Sequence, residues 1–320
     1  MMQPDVSVIV AAWRSADVVE RAVRSALQSR GVTVEVIAVD DASPDSTFTI
    51  LRQLASSEPR LLIDRLSVNS GPSAARNRAI SRATGRFVAI VDADDEMEPD
   101  RLARLVALAE RRGADIVVDN MKEVDERGRL LASGLFLRSP AFATSRTIDL
   151  ETWIAFNHPM KRGDCLGYLK PLVRQATLER LRVEYDPALR NSEDYYLVAD
   201  LLARGARMIY TPEPGYRYTR SSTSTSHRLK PDQTRAWLDA EARFVRRHGA
   251  TFTPGQQLAL ARRARTLRHV NQLVAATDAL KARRLGAFVR LLVTDLEASA
   301  YTLATFARVA SNKLLRRTAS

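Results

Sequence analysis

Cysteine is nearly absent from this sequence, because Cys165 is the only one among 320 residues. A single cysteine cannot form an internal disulfide, which excludes the small disulfide-stabilised folds of secreted proteins. The N-terminal sequence MMQPDVSVIV also lacks the order of a secretory signal peptide, in which a charged segment precedes an apolar one. Both absences predict a cytoplasmic protein.

Long apolar runs are absent as well. Uncharged stretches such as residues 298–307 are much shorter than the roughly 18 to 20 apolar residues of a membrane-spanning helix. We therefore expect no membrane-spanning helix. Hydrophobic residues nevertheless make up 45% of the chain, and a chain of this length and composition can bury a core, which argues against general disorder.

A glycine-rich phosphate loop is missing after the first predicted strand. That strand, residues 6–11, continues into AAWRSADVVE, whereas a nicotinamide-dependent dehydrogenase would have GxGxxG at this point. A sugar-1-phosphate nucleotidyltransferase would have a basic, glycine-rich loop there. The sequence therefore excludes the dehydrogenase and disfavours the nucleotidyltransferase, which stays as an alternative.

The net charge of the chain lies in its C-terminal part. Residues 228–320 carry 18 basic and six acidic residues, a net charge of +12, while the rest of the chain sums to zero. This asymmetry favours an anionic partner, either phospholipid headgroups or nucleic acid, unless the basic side chains only solvate outer helix faces. Nucleic acid is disfavoured because the three tryptophans do not line the basic region. A non-enzymatic protein that binds an anionic polymer stays as an alternative.

Strand-like and helix-like segments alternate through the first 120 residues. Apolar runs rich in β-branched residues predict strands at 6–11, 34–40, 61–66, 87–92 and 115–119. Amphipathic spacing predicts helices between them, at 15–28, 45–55, 73–83 and 99–111. This alternation predicts a Rossmann-like α/β fold, with a mostly parallel sheet covered by helices on both faces.

The alternation becomes irregular after Asn120. The sequence DERG at 125–128 predicts a turn between two extended segments. Further helical or strand segments are predicted at 150–156, 167–173, 193–203 and 206–211. From Pro231 onward only helical periodicity remains, with breaks near Pro254, Thr277 and Gly286.

Acidic residues cluster at the ends of two predicted strands. Asp40 and Asp41 end one strand, and Asp92, Asp94 and Asp95 follow another. Ligands of open α/β sheets bind outside the carboxyl ends of the strands. Carboxylates this close repel each other unless a cation or hydrogen-bond donors offset them, and hard oxygen ligands suit Mg²⁺ or Mn²⁺. The alternative is that the acidic residues cap a helix or line a solvated turn, which two clusters make less favourable.

Four segments together resemble family 2 glycosyltransferases, which have the GT-A fold. They occur in the family's order and are SVIVAAW (7–13), VEVIAVDDASPDST (34–47), NSGPSAARNRAISRATGRFVAIVDADD (69–95) and NSEDYYL (191–197). The match spans residues from about 5 to 227, and its combination of motifs is highly specific. This order, and the sequence GYLKPLVRQ from Gly167, further resemble bacterial exopolysaccharide glucosyltransferases of the succinoglycan type.

The resemblance implies that the first cluster binds the nucleoside of a UDP-sugar. Asp40 is implied to accept hydrogen bonds from uracil, and Asp41 to support that pocket or the ribose. The backbone around Ala11 and Ala12 is implied to lie against the nucleoside.

The second cluster is implied to bind ribose, metal and sugar. Asp92 contacts the ribose in this interpretation, Asp94 coordinates the Mg²⁺ or Mn²⁺ that bridges the diphosphate, and Asp95 lies beside it in the sugar site. Arg76 and Asn77, in the ARN sequence, are implied to hold this region together. The alternative for them is solvation of an amphipathic helix face.

Catalysis needs a base, because an acceptor hydroxyl must lose its proton as it attacks the anomeric carbon. In the family the aspartate of the ED pair is the usual base, which implies that Asp194 is catalytic and that Glu193 binds acceptor or sugar. The alternative is that both only stabilise a helix dipole. A single attack by an activated hydroxyl inverts the anomeric centre.

The polar run SSTSTS at 221–226 predicts a loop that closes over the phosphates. Its neighbours Arg217, Tyr218 and Arg220 are candidate phosphate contacts. His227 is a candidate second metal ligand, with simple surface exposure as the alternative.

The sequence thus predicts an inverting, metal-dependent glycosyltransferase that moves a hexose, glucose favoured, from a UDP-sugar to an acceptor hydroxyl. A catalytic domain is predicted over residues 1–230, with a nucleotide-sugar half at about 1–120 and an acceptor half at about 121–230. A basic helical region follows at 231–320. The QxxRW motif of processive members is missing, since residues 233–237 are QTRAW, and this favours transfer of one sugar per encounter.

The expected acceptor is a glycan or a polyprenyl-diphosphate-linked oligosaccharide in exopolysaccharide or cell-surface glycan synthesis. Between Tyr301 and Arg317, apolar residues at helical spacing alternate with basic ones, which predicts an amphipathic helix. The basic region is therefore expected to hold the protein on the cytoplasmic face of the inner membrane. The competing interpretation is that the apolar stripe packs on the catalytic domain or on a second subunit.

Overall fold

The computed structural model describes residues 3–157, 163–221 and 229–318, including their side chains except at 309, 310 and 312–318. The described residues form two compact units, one from residues 3–157 and 163–221 and the other from residues 229–318. Within these ranges no helix combines the length and the apolar character that crossing a membrane requires. The domain boundary at residue 230 stays a prediction.

One sheet runs through the described part of the first unit. Its ten strands are β1 Val6–Ala12, β2 Val34–Asp40, β3 Leu61–Arg65, β4 Phe87–Asp92, β5 Glu96–Met97, β6 Ile116–Val124, β7 Leu130–Leu135, β8 Arg146–Ile148, β9 Leu172–Arg174 and β10 Met208–Thr219. The described α-helices of the same unit are α1 Val19–Leu27, α2 Thr47–Ser57, α3 Pro72–Ile80, α4 Arg101–Arg112, α5 Leu150–Ala155, α6 Gln175–Leu181 and α7 Glu193–Ala203.

The strand order is β3-β2-β1-β4-β9-β6-β10-β5, with β7 beside β6 and β8 beside β10. The strands β3, β2, β1, β4, β6 and β10 run in one direction, and the other four run in the opposite direction. Most strands are therefore parallel in direction, as the sequence predicts. Apolar runs such as β1 are buried almost throughout, which is typical of parallel strands covered on both faces.

The short strand β9 lies antiparallel between β4 and β6. Its register pairs Leu172 with Ala89 and Arg174 with Phe87. Because the two strands run in opposite directions, the residues just before β9 lie near the carboxyl end of β4. This arrangement brings Lys170 to the strand end where Asp92 lies.

The elements predicted for the first 120 residues are confirmed, with boundaries shifted by a few residues. The turn predicted at 125–128 is also confirmed, between β6 and β7. There the N–H of Gly128 donates to the carbonyl of Asp125 at 2.8 Å, and Gly128 has a φ of 76°. That conformation lies in the left-handed region that favours glycine.

The segment predicted at 206–211 is a strand and is longer than predicted, because β10 continues to Thr219. Its pairing with β6 shifts register between Thr211 and Tyr216. Pro212 and Pro214 lie in this interval and cannot donate ladder hydrogen bonds, so the strand bulges and then resumes. The sequence pattern ends at the prolines, whereas the strand does not.

The described part of the second unit is helical, as predicted. Its α-helices are α8 Pro231–His248, α9 Pro254–Lys281, α10 Leu285–Thr294 and α11 Leu296–Thr318. The break expected near Pro254 is confirmed, and the break near Gly286 corresponds to the turn between α9 and α10. The break expected near Thr277 is wrong, since α9 continues through it. The Thr277 hydroxyl donates to the carbonyl of Leu273 at 2.7 Å, a bond that accommodates threonine inside a helix.

Candidate active site

The carboxyl ends of β1, β2 and β4 lie side by side at one edge of the sheet. The register sets Ala12 beside Asp40 and Ala11 beside Asp92. The two alanines therefore lie between the two acidic clusters, at the edge where ligands of open α/β sheets bind. The structure thus brings together the residues implied to contact the nucleoside, and that contact stays a prediction.

Asp40 is buried at the end of β2 and is engaged with neighbouring loops. Its carboxylate accepts a hydrogen bond from the N–H of Ser43 at 3.1 Å and lies 3.0 Å from Nε of Arg65. At the start of the following helix α2 a different carboxylate accepts the hydrogen bond, since Asp45 accepts from the N–H of Thr47 at 3.1 Å. Capping of α2 therefore does not account for Asp40.

Asp41 fixes the loop that precedes α3. Its carboxylate accepts hydrogen bonds from the side-chain amide of Asn69 at 2.8 Å and from the N–H groups of Ser70 and Gly71 at 2.7 and 2.8 Å. Three donors on one carboxylate stabilise its charge and hold the loop in place. Asp41 thereby holds the loop beside the strand end where the resemblance implies nucleoside binding, and that role stays a prediction.

Arg76 lies on α3 and is buried. Its Nη2 lies 2.8 Å from Oδ1 of Asp92, and its Nη1 lies 2.5 Å from Oε1 of Glu193 and 3.4 Å from Oδ1 of Asp194. Solvation of a surface helix face does not describe this side chain. Arg76 joins the end of β4 to the start of α7. The side-chain amide of Asn77 donates to the carbonyl of Tyr185 and accepts from its N–H, which joins α3 to Tyr185.

Lys170 forms a second bridge between the same elements. Its Nζ lies 2.8 Å from Oδ2 of Asp92 and 3.0 Å from Oδ2 of Asp194. The hydroxyl of Tyr185 donates to Oδ1 of Asp194 at 3.0 Å. Lys170, Tyr185 and Asp194 are all buried, so the two predicted site carboxylates belong to one buried, charge-paired cluster.

For Lys170 and Asp92, at the centre of this cluster, neighbouring opposite charges shift the pKa more than burial does. Burial lowers the pKa of Lys170, but the carboxylates of Asp194 and Asp92 raise it above its ordinary value. Burial raises the pKa of Asp92, but the cations of Lys170 and Arg76 bring it below its ordinary value. For Glu193 burial dominates, and together with the charge of Asp194 it outweighs Arg76, so its pKa is raised. Asp92 and Lys170 therefore stay charged at neutral pH.

Asp94 and Asp95 follow β4 and lie in different environments. Asp94 is exposed, and no other described residue donates a hydrogen bond to its carboxylate or forms an ion pair with it. Desolvation, with the charge of Asp92 second, raises its pKa. Asp95 is buried and accepts hydrogen bonds from the hydroxyl of Tyr216 at 2.9 Å and from the N–H of Thr219 at 2.7 Å. Burial and the charges of Asp94 and Asp92 raise the pKa of Asp95 well above its ordinary value.

These three aspartates fit a divalent cation. One carboxylate oxygen from each of Asp92, Asp94 and Asp95 lies within 4.8 Å of the others. Their oxygens are the hard donors that Mg²⁺ and Mn²⁺ prefer, and a cation offsets the repulsion that raises the two pKa values. Asp94 has the carboxylate that no other described residue engages, which suits a primary ligand. The other candidate ligand, His227, lies outside the described residues.

The last residues of β10 alternate between the site and the opposite face of the sheet. Tyr216 contacts Asp95, and its hydroxyl also accepts a hydrogen bond from the N–H of Asp92 at 3.0 Å. Arg217 points the other way, where its Nη2 donates to the carbonyl of Gly128 at 2.6 Å. Adjacent residues of a strand face opposite sides, so Arg217 does not share the face on which Tyr216 meets Asp95, and its assignment to the phosphate site stays a prediction.

Tyr218 returns to the side of the site and forms an aromatic cluster. Its ring centroid lies 5.7 Å from that of Phe136 and 6.1 Å from that of Tyr168. Burial raises its pKa, and the neighbouring Tyr168 and Asp95 contribute. Because the N–H of the next residue, Thr219, donates to Asp95, the backbone of Tyr218 lies near that carboxylate. Tyr168 is exposed at the rim of the cluster. Arg220 instead pairs with Glu123 at 2.6 Å.

Lys170, Tyr185 and Tyr216 are site residues that the sequence interpretation missed. Lys170 stands in the GYLKPLVRQ sequence, but no pattern links that residue to Asp92 or Asp194. The backbone of Lys170 is held in place by a hydrogen bond, because Nη2 of the buried Arg101 donates to the Lys170 carbonyl at 2.6 Å. Arg101 in turn pairs with the buried Asp119 at 2.8 Å. The short antiparallel β9 brings Lys170 to the carboxyl end of β4, and the segment predicted at 167–173 did not indicate this pairing.

The chain is similar to several known proteins. The model of "Glycosyl transferase family 2" matches residues 7–175. The chain is 36% identical to the succinoglycan biosynthesis protein ExoO of Rhizobium meliloti over 292 residues, which are 91% of this chain and 82% of that protein. It is 37% identical to ExoU of the same organism over 70% of this chain and 65% of that protein.

Two solved structures resemble the fold over most of the chain. Residues 1–349 of S. aureus TarS, in complex with UDP-GlcNAc, align with a TM-score of 0.61 at 18% identity, covering 90% of each chain. The mannosyltransferase PcManGT of Pyrobaculum calidifontis, in complex with GDP-Man and Mn²⁺, aligns with a TM-score of 0.59 at 19% identity, covering 96% of this chain and 87% of that one. The predicted GT-A fold is thereby confirmed.

Proposed function

Because the chain belongs to glycosyl transferase family 2, we propose that it transfers a hexose, glucose favoured, from a UDP-sugar to an acceptor hydroxyl with inversion at the anomeric carbon. The observation that carries the proposal is the bridge formed by Lys170, which links the strand-end Asp92 to Asp194. Donor-binding and proton-accepting carboxylates are thereby adjacent, as a direct displacement requires.

Asp194 is the proposed base. In the step it serves, the acceptor oxygen bonds to the anomeric carbon, the bond from that carbon to the diphosphate breaks, and the hydroxyl proton passes to Asp194. Lys170 and the hydroxyl of Tyr185 each contact one oxygen of this carboxylate and fix its orientation. A carboxylate oxygen accepts more than one hydrogen bond, so a lone pair remains for the acceptor.

The proposed metal is Mg²⁺ or Mn²⁺, held by Asp94 with Asp92 and Asp95 beside it. When bound, such a cation offsets the charge that develops on the leaving diphosphate. The Mn²⁺ complex of PcManGT supports a divalent metal. Two of the three aspartates are held in position by other residues of this chain. Arg76 and Lys170 form ion pairs with Asp92, and Tyr216 and Thr219 donate hydrogen bonds to Asp95.

The donor and acceptor proposals draw on the relatives and on the aromatic cluster. The UDP-GlcNAc complex of TarS supports a UDP-sugar donor. The relatives ExoO and ExoU, both named for succinoglycan biosynthesis, support a glycan or polyprenyl-diphosphate-linked acceptor in exopolysaccharide or cell-surface glycan synthesis. Tyr168 and Tyr218 beside Asp95 offer ring faces on which an acceptor sugar can pack. An acceptor of this kind places the enzyme peripherally on the cytoplasmic face of the inner membrane.

A donor screen tests the proposal directly. Purified protein is heated with UDP-glucose, UDP-galactose, UDP-GlcNAc, GDP-mannose and UDP alone, each with and without Mn²⁺. A ligand that binds only the folded state raises the melting temperature by mass action, and we expect the largest metal-dependent rise with UDP-glucose. A rise with GDP-mannose and none with any UDP compound would overturn the proposed donor.

Product analysis tests the stereochemistry and the acceptor requirement. With the donor that the screen selects, release of UDP is expected to need metal and to increase when a membrane extract containing lipid-linked acceptor is added. The anomeric proton of the product is expected to show the configuration opposite to that of the donor. Retention of configuration would contradict a single displacement.

A further inference from the structure

Helix α10 is apolar and yet buries none of its ten residues. Its sequence is LGAFVRLLVT, with Arg290 as the one charged residue. Short helices are marginal in water, and most are stabilised by burying an apolar face. An apolar helix that remains at the surface therefore points to an apolar phase outside the chain.

The most exposed side chains of this region form one stripe. Leu285, Val289, Val293 and Leu296 are 65%, 58%, 67% and 76% exposed. The spacing of four residues places Leu285, Val289 and Val293 on one face of α10. Leu296, the first residue of α11, follows the helix break at Asp295 and is the next exposed apolar residue along the chain. A contiguous apolar patch of this kind marks an interaction surface.

The opposite side of α10 packs within its own unit. Helix α10 contacts α9 and α11, and the ring of Phe288 is stacked near that of Phe306 with centroids 6.4 Å apart. The stripe is therefore held outward by internal packing.

Exposed cations flank the stripe without acidic partners. Lys281, Arg283 and Arg290 are exposed, and no ion pair joins them to an acidic side chain in the part of the chain that the structure describes. The two nearest following acids are already paired, Asp295 with Arg268 and Glu297 with Arg265. Over residues 281–318 the chain has eight basic and only two acidic residues.

We propose that this surface docks on an anionic lipid bilayer, with the stripe entering the headgroup region and the cations contacting lipid phosphates. An exposed apolar face beside Lys and Arg is the composition of helices that lie in a membrane interface. The cations add attraction to anionic lipid that salt weakens. In this proposal α10 is the helix that contacts the bilayer, whereas the sequence alone favours the helix between Tyr301 and Arg317 as the membrane-binding element. The proposed docking does not depend on the transfer reaction.

A second copy of the chain fits the surface less well. Two copies related by a twofold axis present the same patch to each other. The unpaired cations of both copies would then face each other across the interface, and like charges in that position disfavour association. A lipid surface with negative headgroups removes that repulsion.

Flotation with vesicles tests the docking surface in the full-length protein. We compare vesicles of phosphatidylcholine with vesicles that also contain phosphatidylglycerol, at low and high salt. The double variant Val289→Ser with Val293→Ser removes the middle of the stripe without changing charge. The control is Leu258→Ser, an aliphatic residue on α9 that is 52% exposed. Circular dichroism confirms that each variant is folded, as expected for exposed positions.

We expect the wild type and Leu258→Ser to bind the anionic vesicles and to be released by salt, with little binding to neutral vesicles. The double variant is expected to bind the anionic vesicles roughly tenfold more weakly, and Arg283→Gln with Arg290→Gln to need less salt for release. Equal binding of the double variant and the wild type overturns the proposal. So does a dimer in sedimentation velocity that the double variant abolishes while the wild type binds no vesicles.

Discussion

The ammonium group of Lys170 lies 3.0 Å from a carboxylate oxygen of Asp194, and the same nitrogen lies 2.8 Å from Asp92. Asp92 ends β4, and Asp194 lies in the first turn of α7, which begins at Glu193. The buried Lys170, together with the buried Arg76, thus sets the spacing between these two carboxylates of the candidate site. Because Lys170 satisfies both carboxylates, its loss is expected to affect stability and turnover together.

The first prediction is that Lys170→Met lowers both stability and turnover. Removing one partner of a buried ion pair costs about 3 to 5 kcal/mol. In this variant Arg76 would be the one cation still described in contact with both Asp92 and Asp194. The measurement is urea unfolding together with transfer kinetics. Lys122→Met is the matched control, since Lys122 forms a half-exposed pair with Glu98, and such pairs contribute about 1 kcal/mol or less.

The conservative variant Lys170→Arg distinguishes positioning from stability. It keeps the charge but changes the geometry of the bridge, so we expect stability to recover largely while turnover stays low. Full recovery of turnover in Lys170→Arg would show that only the charge matters. Wild-type stability in Lys170→Met would refute the bridge itself.

The second prediction is that Asp94→Ala abolishes transfer and leaves the fold intact. Asp94 is exposed and its carboxylate is not engaged by another described residue, so its removal takes away a metal ligand without disturbing packing. The measurements are turnover during titration with Mn²⁺ and the melting temperature. Asp100→Ala is the control, because Asp100 is an exposed aspartate that pairs with Arg104, and turnover of this variant is expected to stay near the wild-type value.

Near-wild-type turnover of Asp94→Ala that still requires Mg²⁺ or Mn²⁺ would show that the metal lies elsewhere. Lower turnover that excess Mn²⁺ restores would instead support Asp94 as a ligand, because weaker coordination is overcome by concentration.

The third prediction concerns the pH dependence of stability without metal. The folded-state pKa of Asp95 is raised above the ordinary value of 3.8, so above that pH the unfolded chain loses this proton before the folded chain does. The folded state then binds more protons, and its stability relative to the unfolded state falls as pH rises. Asp95→Asn removes this effect, so we expect its melting temperature at pH 7 to exceed that of the wild type by about 2 °C or more, with the difference shrinking toward pH 4.

Asp64→Asn supplies a control of opposite sign. Burial raises the pKa of Asp64, but hydrogen bonds and charges, with Arg78 foremost, lower it below 3.8 overall. Its carboxylate therefore contributes stability that is present above the unfolded-state pKa and is lost as pH falls through the folded-state pKa. Asp64→Asn is expected to be less stable than the wild type at pH 7. A difference that varies with pH in the same direction for both variants would contradict the assignment.

The fold was predictable where the signal is local, and the site was predictable only in part. The alternation from β1 to β6 can be predicted from the sequence because each strand is a continuous apolar run and each helix has an apolar face. The three-residue β9 and the extension of β10 past Pro214 were not predictable, because pairing with distant strands stabilises them. Lys170 depends on β9 for its place beside Asp92, so its role could not be predicted either.

The acidic site residues were easier to predict than their partners. Asp92, Asp94 and Asp95 stand together at a strand end, and the sheet rule alone directs attention to them. Tyr216 lies 121 residues from Asp95, to which its hydroxyl donates, and no periodicity connects the two. Arg217 and Tyr218 looked equivalent in the sequence. Both residues lie in the part of β10 that the sequence pattern did not predict, and the alternation of side chains along that strand places them on opposite faces.

The last prediction is that Asp194→Asn lowers turnover by roughly 10² to 10⁴ while donor affinity changes little. The amide keeps the size of the side chain and can still accept from Tyr185, but it cannot take a proton from the acceptor. Lys170 keeps Asp92 as a partner, so we expect a modest loss of stability at most. Donor affinity is measured by calorimetry with Mn²⁺, and turnover is measured at saturating donor.

Asp200→Asn is the matched control, because Asp200 lies on the same helix α7, is similarly buried and pairs with Arg204. It is expected to retain turnover, which separates the chemistry of Asp194 from a general disturbance of α7. Glu193→Gln discriminates between the two carboxylates. Glu193 pairs with Arg76 at 2.5 Å, and its pKa is raised. We therefore expect Glu193→Gln to lower the affinity for acceptor or sugar more than it lowers turnover. If Asp194→Asn loses donor affinity while turnover at saturation survives, Asp194 binds substrate and another group accepts the proton.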